Sequence, residues 1–259
     1  MSLEAYLRQR LEERGILLMT HLIVGYPSLD DNRRMLEAMA EADVDLVELQ
    51  MPFSEPMADG PTFVRANQEA LAAGVNRDQY FDFMARSTAA HDFPHLMMGY
   101  YNTLYRMGHE SFCQSLTQAG GRGYIVPDLP FEEYGDLFPL SEAADIDPIL
   151  LMTPTNSAAR LEELGQRARG MVYGVARRGV TGRATALEDE TYEFVQRCRR
   201  ATELPLALGF GLRTGGDLRR LLGSVEVGIV GSALLECWEQ GGESGYGELL
   251  AELASARSR

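Results

Sequence analysis

Short apolar runs recur along the chain, each followed by a polar stretch in which apolar residues return at helical spacing. The runs are Leu18–Gly25, Asp45–Met51, His95–Tyr101, Gly123–Leu129, Asp147–Met152, Gly170–Ala176, Pro205–Gly211 and Gly228–Leu234, which makes eight predicted strands. Between them Asp30–Glu41, Asp78–Ala90, Glu110–Ala119, Glu132–Ala144, Ser157–Ala168, Asp189–Ala201 and Thr214–Leu222 read as helices, several opening on or near Ser, Asp or Thr. Strand and helix alternation predicts a parallel sheet, and eight such units in 259 residues is the size of a (β/α)8 barrel. The pattern therefore predicts an α/β fold, a single TIM barrel over residues 1–259, since no linker divides the chain. An extra N-terminal helix, Leu3–Glu13, is expected to plug the bottom of the barrel. Gly241–Gly247 is read as introducing a last helix, Glu248–Arg257.

The second run breaks its own pattern. Leu46-Val47-Glu48-Leu49-Gln50-Met51 places a carboxylate inside a strand read as buried on both faces, where an ionised Glu is costly unless paired, hydrated or functional. Pro52, Pro56, Gly60 and Pro61 then forbid regular structure, so Asp59 sits on a constrained loop leaving the C-terminal end of that strand. Barrel enzymes keep their chemistry at that end. The connection from Pro52 to about Pro94 is long enough to hold an additional helical stretch, Thr62–Ala73. Burial raises the pKa of a carboxyl, as a general acid working near neutrality requires, whereas the more solvated Asp59 stays ionised. On the residues alone Glu48 is also readable as a structural glutamate paired with an arginine, and Asp59 before Gly60 as a turn residue.

Other candidates fall at the ends of later strands. Gly209-Phe210-Gly211 lies between a strand and a helix, but the third glycine of a dinucleotide fingerprint would fall at Thr214. Gly209, Gly211, Gly231 and Ser232 read instead as exposing backbone N–H groups to a phosphate at the ends of strands seven and eight, or simply as tight turns. Arg177-Arg178-Gly179-Val180-Thr181-Gly182-Arg183 reads as a lid over an anionic ligand or as a charged surface loop.

Composition narrows the chemistry. The net charge of −14 argues against nucleic-acid and anionic-membrane partners. Cys113, Cys198 and Cys237 form no disulfide framework, there is no apolar signal core, and nothing approaches the roughly eighteen apolar residues of a membrane span, so a reduced, cytoplasmic setting is expected. All 24 basic residues are Arg, which removes mechanisms that need a lysine amine, including Schiff-base aldolase chemistry and a resident pyridoxal phosphate. His21, His91, His95 and His109 show no paired metal-ligand spacing, and neither a metal nor a cofactor is expected.

In order and spacing, Gly25-Tyr26-Pro27, Glu48-Leu49, Pro52-Phe53-Ser54, Ala58-Asp59-Gly60-Pro61-Thr62, Pro127-Asp128-Leu129-Pro130, Gly179-Val180-Thr181-Gly182, Gly209-Phe210-Gly211 and Gly231-Ser232 resemble the tryptophan synthase alpha subunit family over nearly the whole chain. The resemblance implies reversible retro-aldol cleavage of indole-3-glycerol phosphate to indole and glyceraldehyde 3-phosphate. It implies that Glu48 and Asp59 are catalytic and that Tyr173 lies near Glu48. It further implies that Tyr100 lines the indole pocket, that Phe210, Gly211, Gly182, Gly231 and Ser232 bind phosphate, and that Thr181 is a lid residue meeting the Asp59 loop. The implied partner is a pyridoxal-phosphate beta subunit in an alpha–beta hetero-oligomer. A stand-alone indole-glycerol-phosphate lyase and a weakly catalytic subunit that activates a beta partner are the alternative readings. The chain departs from the family pattern at His21, where an apolar aromatic is usual, at Gln50 (Gly), Glu55 (Asp) and Arg178 (a hydroxyl residue).

Overall fold

The computed structural model describes residues 1–176, 184–209 and 211–258, with residues 184–189 described by backbone alone. The strands are β1 (Leu17–Ile23), β2 (Leu46–Gln50), β3 (His95–Met98), β4 (Gly123–Ile125), β5 (Asp147–Pro148 and Leu150–Met152), β6 (Val172–Val175), β7 (Leu206–Gly209) and β8 (Val227–Val230). Every pairing is parallel, and the ladder runs from the first half of β5 through β4, β3, β2, β1, β8, β7 and β6 to the second half of β5. Only Ile149 separates those halves, and its N–H donates to the Tyr124 carbonyl at 2.9 Å, so β5 belongs to both ends of the ladder and closes a barrel.

The helices are α1 (Leu3–Glu13), α2 (Leu29–Glu41), α3 (Pro61–Ala72), α4 (Arg77–Ala90), α5 (Tyr101–Met107), α6 (His109–Gln118), α7 (Leu137–Ala143), α8 (Ala158–Arg167), α9 (Ala184–Ala201), α10 (Gly215–Arg219) and α11 (Ser232–Ser255). Local chemistry explains several starts. Ser28 and Ser157 accept from N–H groups of the first turn, and Asn76 with Gln79 and Thr214 with Asp217 form capping boxes. Helix α3 begins on Pro61, whose missing N–H costs nothing at that position.

Three expectations need correction. The run His95–Tyr101 overshoots β3, because Tyr101 already opens the short α5. The segment Glu132–Ala144 divides into a 3-10 turn, Phe131–Glu133, and α7. A helical segment already begins at Ser232, directly after β8, and the last one follows the non-helical Gly242 (φ 59°, ψ −151°), so it starts a few residues before the expected Glu248.

Two apolar layers fill the fold. One lies between the outer face of the sheet and the helices, and the other fills the barrel, where Leu17, Met19, Leu46, Leu96, Ile125 and Met171 meet Leu3 and Leu7 of α1. The N-terminal helix is thus the expected bottom plug. It is locked there by Asp45, fully buried, whose carboxylate accepts from Arg10 Nε (2.9 Å), Arg14 Nη1 (2.9 Å), Arg257 Nη1 (2.8 Å) and Leu18 N (2.8 Å). This cluster joins α1, β1, β2 and the C-terminus. Replacing Asp45 by Asn takes the carboxylate from the buried Arg257 and leaves Arg10 and Arg14 only Asp43 as an anionic partner, and is expected to lower stability by about 3 kcal/mol. Urea unfolding of the two proteins measures this, and a change below about 0.5 kcal/mol would show that the cluster does not hold the bottom of the barrel together.

Candidate active site

The alternation of side chains along a parallel strand decides which residues of β1 and β2 enter the barrel. Leu17, Met19 and His21 of β1 and Leu46 and Glu48 of β2 face inward, while Leu18, Leu22, Val47 and Leu49 pack against the helices. Register places His21 directly beside Glu48. Above them, at the C-terminal mouth, lies a cavity of about 440 Å³ whose wall includes Glu48, Asp59, Tyr173, Gly211, Gly231 and Ser232.

Glu48 is 2% exposed, and its Oε2 has no hydrogen-bond partner among the described residues. Burial, reinforced by the nearby charge of Asp59, pushes its carboxyl up to about 8, so near neutrality it is predominantly the acid form. Asp59 is also raised by burial, against donors that oppose the rise: Gln50 Nε2 at 2.7 Å, the Tyr100 hydroxyl and Asn67 Nδ2 at 3.3 Å. Tyr173, its hydroxyl raised well above the ordinary range by burial and by the two carboxyls, stands in the same wall.

The Asp59 loop is pinned at several points. The Tyr100 hydroxyl accepts from Ala58 N at 3.1 Å, and Tyr100 stacks on Phe53 with ring centroids 5.0 Å apart. Asn67, buried on α3, accepts from Phe53 N at 3.0 Å and donates to the Phe63 carbonyl at 2.8 Å as well as to Asp59. Tyr100 therefore holds the loop at two points, its hydroxyl accepting from Ala58 N and donating to the Asp59 carboxylate on the cavity wall.

At the opposite rim, Gly211 takes a φ of 67°, a conformation few other residues adopt. Gly231 is required for space, because a Cβ there would come within 2.9 Å of Phe63 Cζ. Ser232 is not at a strand end but is the first residue of α11. Its helix has no side-chain cap, so the first-turn N–H groups of Ser232 and Ala233 point out of the helix end beside the cavity. Glu236 also borders the cavity and is engaged by Arg213 and by Thr62 Oγ1. Thr181, Gly182, Phe210 and the whole Arg177–Arg183 stretch, Arg178 included, lie outside the described residues. Glu55 is exposed on the loop and does not border the cavity.

The barrel thus gathers Glu48, Asp59, Tyr173, Gly209, Gly211, Gly231 and Ser232 around one space. Sequence reasoning missed Asn67, Phe63 and the job of Gln50. A buried Asn on an otherwise ordinary helix carries no periodic signal, and Gln50 was visible only as a departure from the family pattern, with no partner that the sequence could name. Among the described residues no group of three or more His, Cys, Asp or Glu is arranged to hold a metal ion, and no helix is long and apolar enough to cross a membrane.

Comparison with known proteins agrees along the full length. The family model described as Tryptophan synthase alpha chain matches residues 7–257. The tryptophan synthase alpha chain of Desulfotalea psychrophila is 42% identical over 253 residues, covering 98% of this chain and 100% of that one. Among solved structures, a tryptophan synthase from Mycobacterium tuberculosis in its aminoacrylate-bound form superposes with TM-score 0.89 at 28% identity, covering 99% of both chains. A tryptophan synthase complex from Pyrococcus furiosus does so with TM-score 0.84 at 26% identity, covering 94% of this chain and 99% of that one.

The protonated state of Glu48 has a thermodynamic signature. Its folded pKa, about 8, lies above the unfolded value of 4.5, so its contribution is fully present below pH 4.5 and is lost as pH rises toward 8, where only the unfolded chain first gains by ionising. Glu48→Gln removes this titration. Relative to pH 4.5, the variant should gain about 3 kcal/mol on the parent protein by pH 7 in urea unfolding. A gap that is flat or of opposite slope would mean that Glu48 is ionised in the fold.

Proposed function

This chain belongs to the tryptophan synthase alpha chain family and is a lyase, and from that premise we propose that it breaks a carbon–carbon bond: the reversible retro-aldol cleavage of indole-3-glycerol phosphate to indole and glyceraldehyde 3-phosphate. The observation that carries the reading is the pair of carboxyls on one cavity, Glu48 pushed up to about 8 with no hydrogen-bond partner for Oε2 among the described residues, and Asp59 furnished with hydrogen-bond donors.

Cleavage needs a proton on indole C3, a sink for electrons and removal of the proton from the hydroxyl on the adjacent side-chain carbon. Glu48 donates its proton to C3, which makes the ring an indoleninium cation. Asp59 accepts a hydrogen bond from the ring N–H and stabilises that cation electrostatically in a site shielded from water. The Glu48 carboxylate then takes the hydroxyl proton. The O–H electron pair becomes the carbonyl π bond, the C–C bond breaks, and its electrons restore the aromatic ring. Glu48 ends protonated, so the cycle closes without an external acid.

Tyr173 and the apolar wall of Met98, Ile125 and Leu151 suit a planar aromatic ligand, and Gly211, Gly231 and Ser232, with the N-terminus of α11, suit its phosphate. Thr181, Gly182 and Phe210 complete the proposed substrate site by family match. Tyr100 serves it at one remove, by holding the loop that carries Asp59.

The proposed partner is a tryptophan synthase beta subunit, the pyridoxal-phosphate enzyme that would consume indole. The tryptophan synthase complex among the structural neighbours supports this, as do Met57 (79% exposed) on the Asp59 loop and Tyr105 (68% exposed) on α5, large apolar side chains left uncovered at the mouth end. Indole release by the purified chain is expected to rise on addition of a beta subunit. Glu48→Gln should reduce cleavage by at least about 10³-fold with the fold intact by circular dichroism, and Asp59→Asn by about 10²-fold or more. Appreciable turnover by Glu48→Gln would remove that residue from the acid role. High activity unaffected by the beta subunit would favour a stand-alone lyase.

A further inference from the structure

Gln50 and His21 have no task in the reaction as written, yet they stand between its two acids. Asp59, which as a carboxylate can only accept, lies 2.7 Å from Gln50 Nε2. That contact sets the direction of the Gln50 amide, whose oxygen must then face the other way, and there Gln50 Oε1 lies 2.8 Å from His21 Nε2. A carbonyl oxygen accepts only, so the ring nitrogen that meets it carries the hydrogen. Burial holds His21 neutral, its pKa lowered to about 4, so the ring has a single N–H and Nδ1 keeps a lone pair. That lone pair is on the side of Glu48, with Nδ1 3.5 Å from Oε2, the oxygen that has no other partner among the described residues.

We propose that Gln50 and His21 are positioning residues that join the two acids in one directed hydrogen-bond chain: Asp59 Oδ2 accepts from Gln50 Nε2–H, Gln50 Oε1 accepts from His21 Nε2–H, and His21 Nδ1 accepts the carboxylic proton of Glu48 Oε2. The last link stands at 3.5 Å and closes by a small turn of the Glu48 carboxyl when the site fills, as catalytic contacts commonly tighten with substrate bound. The proposal rests on the reading of Glu48 as the acid and deepens it. The chain lets the charge of Asp59 choose, two side chains away, which His21 nitrogen is bare, and a bare Nδ1 favours Glu48 protonated over Glu48 ionised. Once Glu48 has released its proton, the same lone pair faces an anion and favours its return to the acid form.

The ring is held for this purpose. Phe63 lies against it with centroids 4.5 Å apart at 55°, and Gly231 leaves the room, since a Cβ at that position would stand 3.2 Å from His21 Cβ. Asn67 is oriented mainly by Phe53 N and the Phe63 carbonyl, with Gln50 Nε2 donating to its Oδ1 at 3.4 Å, so it keeps two fixed contacts and its donation to Asp59 at 3.3 Å when Gln50 is replaced. The titratable groups facing Glu48 are His21 from β1, Asp59 from the loop, Tyr173 from β6 and, across the sheet, Tyr80 from α4. Of these His21 is lowered and the two tyrosines are raised, so each is uncharged near neutrality, and Asp59 is the group whose charge can act on Glu48.

The test uses the full chain, with indole-3-glycerol phosphate as substrate. His21→Phe keeps the aromatic contact and deletes both nitrogens, and Gln50→Leu deletes both links of the amide at similar volume. Each should lower kcat about tenfold. For His21→Phe, KM should stay within about twofold, and the alkaline limb of the kcat–pH profile should move down by roughly one pH unit. Because the links act in series, the double variant should lose no more than the worse single variant. Two-bond ¹H–¹⁵N spectra of the labelled protein, with the His21 signals identified by their loss in His21→Phe, should show the Nε2–H tautomer, and Gln50→Leu should mix the tautomers.

An Nδ1–H tautomer in the parent protein would overturn the chain, as would additive losses with an unmoved alkaline limb. So would wild-type kcat in both single variants while Glu48→Gln is dead, which leaves the acid assignment standing. Turnover by Glu48→Gln is the separate failure, since it removes the acid and the chain together.

Discussion

The structure depends on keeping water away from one carboxyl group. Glu48 sits at the height where the apolar filling of the barrel ends and the mouth begins, with the ladder closed around it and α1 sealing the bottom beneath. A carboxylate there would lose its hydration without gaining a cationic partner, so the group stays protonated to about pH 8. All of the acid chemistry proposed for this site draws on that single desolvation. It also makes the closure at β5 functionally relevant, because an open ladder edge would admit water to the same level.

Asp59 answers the same burial differently. It enters from a loop and not from the sheet, and it meets a carboxamide donor from β2 and another from α3. Burial still raises Asp59, but these donors favour its charged form and oppose that rise, whereas Glu48 has no such donor and is pushed further up by Asp59. Two carboxyls on one cavity thus meet different surroundings, the arrangement from which the proposed acid and counter-charge are drawn. The Gln50 amide is part of the support of Asp59 and also the first step toward His21, so the polarity of the site is organised along a line from loop to strand.

Much of this was legible in the chain. The eightfold alternation predicted the barrel, the apolar run around Glu48 marked the anomaly, and the prolines and glycines after it marked the loop. Element ends were less legible. Tyr101 and Ser232–Leu234 continue apolar runs and so extend the predicted strands, yet they are helical, because α5 and α11 begin at once where the chain leaves the sheet. Asn67 was invisible because its value lies in reaching back from α3 to the Phe53 backbone, and the bond of Tyr100 to Asp59 was invisible because it joins a strand end to a loop about forty residues earlier.

By itself the sequence determined the class of fold, the family and the absence of a lysine nucleophile, and it singled out Glu48 and Asp59 as candidates, because periodicity, composition and motif spacing are properties of residues near one another along the chain. Only the tertiary structure decided which face of β2 Glu48 occupies, that His21 stands beside it, which way the Gln50 amide points and that Tyr100 holds the loop that carries Asp59. Those outcomes hang on strand register, ring closure and hydrogen-bond direction between residues from His21 on β1 to Asn67 on α3. Such contacts are set when separate elements pack together, and no local pattern in any one of them encodes the partner it will meet.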